Sequence, residues 1–400
     1  MAGIYIHIPF CRQACNYCNF HFSTSLRYKN ELMAALLKEV ELFPTVFPDE
    51  MLQVTEIGQA GDRALAPLVE TIYIGGGTPS LLENTLITGL LAKIRSVFRV
   101  SDNAEVTLEA NPDDITEDKL IEWKNAGINR LSIGVQSFFE EDLRWMNRAH
   151  NAFQAETALR LAIKHFDNIT MDLIYGTPGL TDEKWKFNVE KAISLGVPHL
   201  SCYALTVEPN TPLQKLISGH KREDVDPDKQ SAQFILLMHW LKTAGFEHYE
   251  ISNFARPGFR SRHNSSYWQG KPYYGFGPSA HSYNGRERWW NIANNARYIT
   301  SVNDGAVPVE KEILTSIQRY NEYIMISLRT GEGLRIDRIL DNEWGFDKTE
   351  HQMLVNDLLE KAKDHEARGL VQLTDGRIIL TMEGKLLADG IASDLFAEGS

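Results

Sequence analysis

The hydrophobic pattern of the first two-thirds of the chain switches repeatedly between two periods. Short β-rich runs fall at 3–8, 71–74, 105–110, 130–135, 168–174 and 199–205, each of a length and composition that suits a buried strand. Between them apolar residues recur at helical spacing, as in Leu32, Leu36 and Val40 or Leu120, Trp123 and Ala126, and Gly127 follows the last of these as a helix stop. Strand–helix repetition of this kind predicts a parallel sheet with right-handed crossovers. The segment 44–69 is irregular, with a glycine among polar residues, and reads as an insertion in the first crossover.

Beyond about residue 215 the pattern changes. A helix is predicted over 229–244, with Phe234, Leu237 and Leu241 on one face and Gly245 at its end. The stretch 254–290 is rich in aromatic residues and glycine and has little periodicity. From Leu314 the chain is helical until Gly369, after which two apolar runs flank Asp375-Gly376, a hairpin turn signal. The expected fold class is therefore α/β: a partial (β/α)6 barrel followed by an α+β C-terminal domain with a winged-helix-like tail. Three units are expected, 1–215 as the barrel, 216–310 completing it, and 311–400 as the C-terminal domain.

Each predicted strand leads straight into a chemically loaded tip. These are Pro9-Phe10-Cys11, Gly75-Gly76-Gly77-Thr78-Pro79, Asn111-Pro112-Asp113, Gln136-Ser137-Phe138, Tyr175-Gly176-Thr177-Pro178 and Thr206-Val207-Glu208-Pro209. Functional groups of a (β/α) barrel sit on the loops at the carboxyl ends of its strands. Six strands with six such tips suit a partial barrel better than a closed one of eight.

Composition narrows the chemistry. The 400 residues, 43% of them hydrophobic, are ample for a large domain and a smaller one. A net charge of −12 argues against general nucleic-acid binding, which needs a basic surface. The apolar runs are too short and too often charged to span a bilayer, and the N-terminus lacks the pattern of a signal peptide, so a cytoplasmic location is expected. Of the 4 cysteines, Cys11, Cys15 and Cys18 cluster while Cys202 stands alone. Clustering in a chain that reads as neither short nor exported points to metal rather than to disulfides.

Cys11-x3-Cys15-x2-Cys18 supplies three thiolates. A [4Fe–4S] cubane has four irons, so three protein ligands leave one iron open, and that vacancy can take the amino and carboxylate groups of S-adenosylmethionine (SAM). The competing reading is a Cys3His zinc site completed by His21. The run Gly75-Gly76-Gly77 lets backbone approach a ligand closely, although a plain tight turn would use the same residues. Glu109, Gln136, Arg148 and Asp172 lie at or just past strand ends and would converge on one rim. There, carboxylates suit an ammonium group and ribose hydroxyls, while Arg suits a carboxylate. From 251 to 286 the chain has no Asp or Glu but carries Arg256, Arg260, Arg262 and Lys271 around His263-Asn264-Ser265-Ser266-Tyr267-Trp268. Such a stretch suits an anionic partner, and a His beside Tyr and Trp suits a porphyrin, with a structural His in a basic loop as the alternative. Cys202 reads as a buried strand residue.

Together these motifs resemble the HemN/HemW branch of the radical-SAM superfamily. The resemblance runs from Tyr5 to Cys11, through GGGTPS, Glu109-Ala110-Asn111-Pro112, Gly134-Val135-Gln136-Ser137-Phe138 and Asp172 to Gly176. It continues through HNSSYW and GFGPSAHS to Ser327-Leu328-Arg329. It implies a radical-SAM barrel with a HemN-type C-terminal domain, a [4Fe–4S] cluster on the three cysteines, and SAM. Tyr5 and Tyr17 would flank both groups, while Gly76, Gly77, Thr78, Glu109, Gln136, Arg148, Asp172, Ala204 and His281 would contact SAM. Two functions compete within the branch. The oxygen-independent coproporphyrinogen III dehydrogenases carry a further Cys two residues after the third ligand, where this chain has Phe20. They also carry a long N-terminal extension, where only ten residues precede Cys11. The heme chaperones carry H-N-x-x-Y-W, present here at His263 to Trp268. All three features favour a heme chaperone, with heme as cargo, His263 as its contact and apoproteins as recipients. An electron donor such as flavodoxin or ferredoxin is implied, no nucleic acid is expected, and the resemblance leaves room for peripheral association with a membrane.

Overall fold

The structure, a computed structural model, describes residues 2–51 and 67–398. Six parallel strands run in sequence order: β1 (Ala2–Ile8), β2 (Leu68–Gly76), β3 (Arg99–Ala110), β4 (Arg130–Gln136), β5 (Ile169–Tyr175) and β6 (His199–Ala204). They form the partial barrel predicted above. Residues whose side chains point to the helical layer are β-branched or large and wholly buried. Ile4, Ile6 and Ile8 of β1 have no exposure, as expected of a strand covered on both faces. Cys202 is likewise buried, opposite Leu173.

The sheet extends at both edges beyond what periodicity revealed. Past β6 lie β7 (Glu247–Glu250) and β8 (Asn253–Ala255), with β8 antiparallel to β6. On the other side β9 (Tyr273–Phe276) pairs parallel with β1 and leads to antiparallel β10 (His281–Tyr283), β11 (Glu287–Asn291) and β12 (Val309–Ile313), completing twelve strands. Strands of three to five residues are too short to display a period of two, so 254–290 read as irregular. Its glycines are a packing requirement: a Cβ on Gly275 would sit 2.1 Å from the His281 carbonyl oxygen.

Helices cover the outer face. The helix Lys29–Val46 buries Leu32, Leu36 and Val40 as predicted, but it runs through Pro44 and ends two residues later. The irregular segment therefore begins later than expected, and its central part, 52–66, lies outside the described residues. Glu39 of this helix is buried, accepting hydrogen bonds from the Gly277 amide at 2.8 Å, from Asn291 Nδ2 at 2.5 Å and from the Tyr298 hydroxyl. These bonds fasten the helix to the β9–β11 extension. Gly127 ends the helix Glu117–Ala126 at φ 97° and Gly245 follows Pro227–Thr243 at φ 80°, the left-handed geometry for which glycine was read.

The helix Arg262–Trp268 packs at the amino-terminal side of the sheet, with His263 buried against Gly3 of β1 and Thr71 of β2 and the Ser261 amide donating to the Tyr249 hydroxyl. A second hydrophobic cluster belongs to the C-terminal part, where Tyr320, Ile324, Leu358, Ile378 and Ile391 pack together. It includes a three-stranded sheet of β13 (Leu334–Arg335), β14 (Val371–Thr374) and β15 (Arg377–Leu380). Asp375 and Gly376, at φ 49° and 70°, make the predicted two-residue hairpin turn. Among the described residues no helix is long and apolar enough to cross a membrane.

Candidate functional site

The loop after β1 is held shut at its base. Phe10 forms a bridge with Ser23, the Cys11 amide donates to the Ser23 carbonyl at 3.1 Å, and the Ser23 amide donates to Pro9 at 2.9 Å. Further along, the Asn16 amide donates to Met146 at 3.1 Å and Asn147 Nδ2 donates to the Ala14 carbonyl at 2.7 Å. Cys11, Cys15 and Cys18 thus face one cleft of about 470 Å³ at the carboxyl ends of the strands. Burial pushes the Cys11 thiol up to about 11 and raises Cys18 as well. Iron held there would reverse that preference, because a coordinating thiol is deprotonated outright.

The glycine run is explained by three different obstacles. A Cβ on Gly75 would lie 2.8 Å from Glu109 Oε1, one on Gly76 2.7 Å from the His7 ring, and one on Gly77 2.6 Å from the Phe10 carbonyl oxygen. The Gly77 amide donates to Ile8 at 2.8 Å, so the run lies against the entrance to the cysteine loop. The turn thereby brings bare backbone and Thr78 into the cleft.

Polar side chains converge on the rim. Tyr73 donates to Glu109 Oε1 at 2.7 Å and the Gly76 amide donates to Oε2 at 3.1 Å. Burial lifts Glu109 to about 7, against the Tyr73 hydrogen bond and with the help of Asp172. Burial also lifts Asp172 to about 6, opposed by Ser201 and Arg148. Arg148 Nη2 donates to Asn111 Oδ1 and to the Gly134 carbonyl, both at 2.9 Å, while Nη1 reaches Cys15 Sγ at 3.3 Å and the Tyr17 hydroxyl at 3.4 Å. Gln136 takes φ 70° at the end of β4. Its Oε1 and the Arg148 Nε are buried with no hydrogen-bond partner among the described residues. Two orphaned polar atoms lining a cleft of this size are what a polar ligand would satisfy.

Ten of the eleven residues expected at SAM line this cleft together with the three cysteines: Tyr5, Tyr17, Gly76, Gly77, Thr78, Glu109, Gln136, Arg148, Asp172 and Ala204. His281 does not. It sits exposed on β10, its ring stacked on Trp290 at 5.7 Å. The alternative zinc ligand His21 is engaged elsewhere, its Nε2 bonded to Asn295 Oδ1 at 2.7 Å. Among the described residues no three Cys, His, Asp or Glu side chains converge as a single metal ion would require.

His263 departs furthest from expectation. It is 1% exposed, with Nδ1 bonded to Thr71 Oγ1 at 2.8 Å, Nε2 to the Tyr267 hydroxyl at 2.9 Å, and its ring stacked on Tyr73 at 5.1 Å. Burial drives it down to about 3, so the ring is neutral. Both nitrogens are taken, and in this arrangement neither is available to a heme iron. In the surrounding basic stretch Arg260 and Lys271 are paired with acids, while Arg262 donates to the Asn103 carbonyl at 2.6 Å and Arg256 to the Ala244 carbonyl at 3.4 Å. Arg260 pairs with Glu247 at 2.9 Å and with Glu332, while Lys271 approaches Glu70 at 3.7 Å. Pairing at this range of separations cannot be read from local charge counts.

Two contributors escaped sequence reasoning. Asn111, at the end of β3, orients Arg148. Its place in a strand tip was a signal, but its bond to Arg148 spans 37 residues. His7 links Tyr5, whose hydroxyl donates to Nδ1 at 3.1 Å, to the His21 carbonyl, which accepts from Nε2 at 2.8 Å. It falls within the Tyr5–Cys11 stretch that carried the resemblance, where no role was read for it.

Parallel strands carrying three thiols on the first loop and a polar ligand-binding rim define a radical-SAM protein, and residues 5–192 match the Radical SAM superfamily. The superfamily implies a [4Fe–4S] cluster and SAM, and the three thiols, the bare glycine backbone and the two unpartnered rim atoms fit that pair. Across nearly its whole length the chain is 34% identical, over 397 residues, to the heme chaperone HemW of Mycobacterium tuberculosis (strain ATCC 25618 / H37Rv), covering 98% of this chain and 94% of that one. It is 32% identical over 402 residues to the heme chaperone HemW of Bacillus subtilis (strain 168), covering 100% of both. The solved structure of coproporphyrinogen III oxidase (HemN) from Escherichia coli superposes with a TM-score of 0.81 at 23% identity, covering 99% of this chain and 90% of that one, which shows the shared fold. The chain belongs to the HemN/HemW branch of the radical-SAM superfamily.

Proposed function

We propose that this chain is a heme chaperone: it holds a [4Fe–4S] cluster on Cys11, Cys15 and Cys18, binds SAM above it, and carries heme to apoproteins. The observation that carries the reading is the end-to-end similarity to proteins named heme chaperone HemW, 32–34% identical over 98–100% of this chain. Phe20, 67% exposed and lining the cleft, supports it, because the dehydrogenases of the branch carry a further Cys at that position.

Within the cleft the chain's own groups divide the work. Three thiols would leave one iron open to SAM. Arg148, held by Asn111 and Gly134, would meet the SAM carboxylate. Glu109 and Asp172 would meet its ammonium group and ribose hydroxyls. Bound there and given one electron, the pair would supply cleavage of the sulfonium C–S bond of SAM, to methionine and a 5′-deoxyadenosyl radical. The barrel 1–215, the segment 216–310 and the domain 311–400 would then serve cofactor binding, barrel closure and cargo handling. For His263 to touch heme, the helix Arg262–Trp268 would have to leave its seat. Its two buried hydrogen bonds favour a supporting part instead.

Heme titration of the anaerobically reconstituted protein, followed by transfer to an apoprotein such as apomyoglobin, tests the reading beside a dehydrogenase assay. Saturable heme binding and its loss to the acceptor are expected. Repeated turnover of coproporphyrinogen III to protoporphyrinogen, with SAM and a strong reductant, would overturn it.

A further inference from the structure

The cysteine cleft is not the only sizeable cavity among the described residues. A second cleft of about 570 Å³ lies between the β9–β11 extension and the C-terminal helix Ser316–Leu328, and shares no lining residue with the first. Tyr273, on its wall, pairs in register with Gly3, at the opposite end of β1 from Cys11. At about 3.3 Å per residue Gly3 lies about 17 Å from Ile8, so the second cleft opens toward the amino-terminal end of β1, with Tyr5 of the first cleft two residues along the strand from Gly3.

Its walls are flat and aromatic. Tyr267 meets Tyr273 edge-on at 4.6 Å, Tyr273 is 6.1 Å from Tyr283, and Tyr323 packs against Trp344 at 5.4 Å on the facing side. Three guanidiniums enter among these rings. Arg288 pairs with Glu322 and lies 3.8 Å from Glu312, and Arg338 bonds Glu343 at 3.0 Å while lying over the Tyr323 ring at 4.5 Å. Arg319 differs. It has no carboxylate partner among the described residues, only long contacts of 3.4 Å to Ser316 Oγ and the Trp344 carbonyl, and its Nε is buried without any partner. All three guanidiniums are near enough to Tyr283 to favour its ionised form against the effect of burial. The Tyr283 side chain is half-buried and lines the cleft.

We infer that this second cleft, and not the neighbourhood of the cysteines, is the heme site, with Arg319 taking a propionate and the Tyr283 oxygen facing the iron; the inference rests on the heme-chaperone reading above. A volume of this order suits a ligand of porphyrin size. Aromatic walls suit its faces, an unpaired Arg suits a carboxylate, and Tyr oxygen is an established heme ligand. The arrangement also gives the HNSSYW segment a physical task. The His263 ring, fixed to Thr71, holds the Tyr267 hydroxyl and so sets one wall of the cleft, while Trp268 forms the next part of it.

The test is titration of the cluster-loaded, full-length protein with ferric heme, for the wild type and the variants Arg319→Ala, Arg319→Lys and Tyr283→Phe. Iron, sulfide and SAM binding serve as controls for folding. We expect Arg319→Ala to raise the heme Kd at least tenfold, with Arg319→Lys recovering part of the loss. Tyr283→Phe is expected to shift the visible charge-transfer bands of bound ferric heme. Iron-free protoporphyrin IX should keep the dependence on Arg319 and lose that on Tyr283. Wild-type affinity in Arg319→Ala, or a wild-type spectrum in Tyr283→Phe, with the wild type still binding heme, overturns this inference and leaves the chaperone reading standing. A wild type that binds no heme overturns both.

Discussion

Replacing Gly77 by alanine tests how the glycine run serves the cysteine loop. Gly77 does not take a left-handed φ, so alanine is not penalised through the backbone and the whole effect lies in contact. The new Cβ would meet the Phe10 carbonyl oxygen at 2.6 Å, the Phe10 nitrogen at 2.8 Å and the Ile8 carbonyl oxygen at 2.9 Å. These are backbone atoms, and the Phe10 side chain that anchors them has no exposure. A comfortable carbon–oxygen contact is about 3.3 Å or more, so the two segments must part by about 0.7 Å. That movement stretches the 2.8 Å Gly77–Ile8 hydrogen bond, at about 1 kcal/mol, in addition to about 1–3 kcal/mol for overpacking. A total of about 2–4 kcal/mol disfavours the closed loop by about thirtyfold or more. Iron and sulfide per chain after anaerobic reconstitution, with SAM affinity alongside, measure the effect. Gly89→Ala is the control: its Cβ would meet nothing within 4 Å in the helix Asn84–Val97, and stability should hold or rise, since alanine is the better helix former by about 1 kcal/mol. A Gly77→Ala protein with wild-type iron, sulfide and SAM affinity would refute the reasoning.

Three further outcomes are expected. Burial raises Glu39 to about 7, outweighing its hydrogen bonds from Tyr298, Gly277 and Asn291. Its folded pKa exceeds the unfolded value, so stability is fully present below about pH 4.5 and falls as pH rises through 7. The loss is on the order of 3 kcal/mol, and denaturation midpoints across that window should show a shallower slope in Glu39→Gln. His263→Ala removes two buried hydrogen bonds and a stacked ring, costing about 2–4 kcal/mol in chemical denaturation. It should weaken heme binding without changing the type of heme spectrum or the cluster content. Arg148→Lys keeps the charge but loses the fork that puts Nη2 on Asn111 and Gly134 and Nη1 on Cys15 and Tyr17. SAM affinity measured by equilibrium dialysis should fall about tenfold or more, and unchanged affinity would remove Arg148 from the site.

What the sequence alone determined is what short-range physics governs. The six β-rich runs, the helix stops at Gly127 and Gly245 and the Asp375-Gly376 turn follow from side-chain shape and backbone freedom within a few residues. The cysteine spacing places three thiols on one loop whatever surrounds it, and strand ends gather on one rim in any such barrel, so the convergence of ten of the residues expected at SAM on one cleft was legible. Tertiary structure alone decided the rest. His263 reads locally as either a heme contact or a structural His in a basic loop; Thr71, 192 residues away, takes one nitrogen, and Glu332 and Glu70 meet Arg260 and Lys271 from remote segments. His281 does not line the cleft but sits on β10, a strand whose antiparallel pairing three residues cannot announce. The aromatic cleft is assembled from three separated stretches, and its unpaired Arg319 is recognisable only once every other partner has been placed. Contacts between distant residues depend on how the chain closes, and closure is a property of the whole fold.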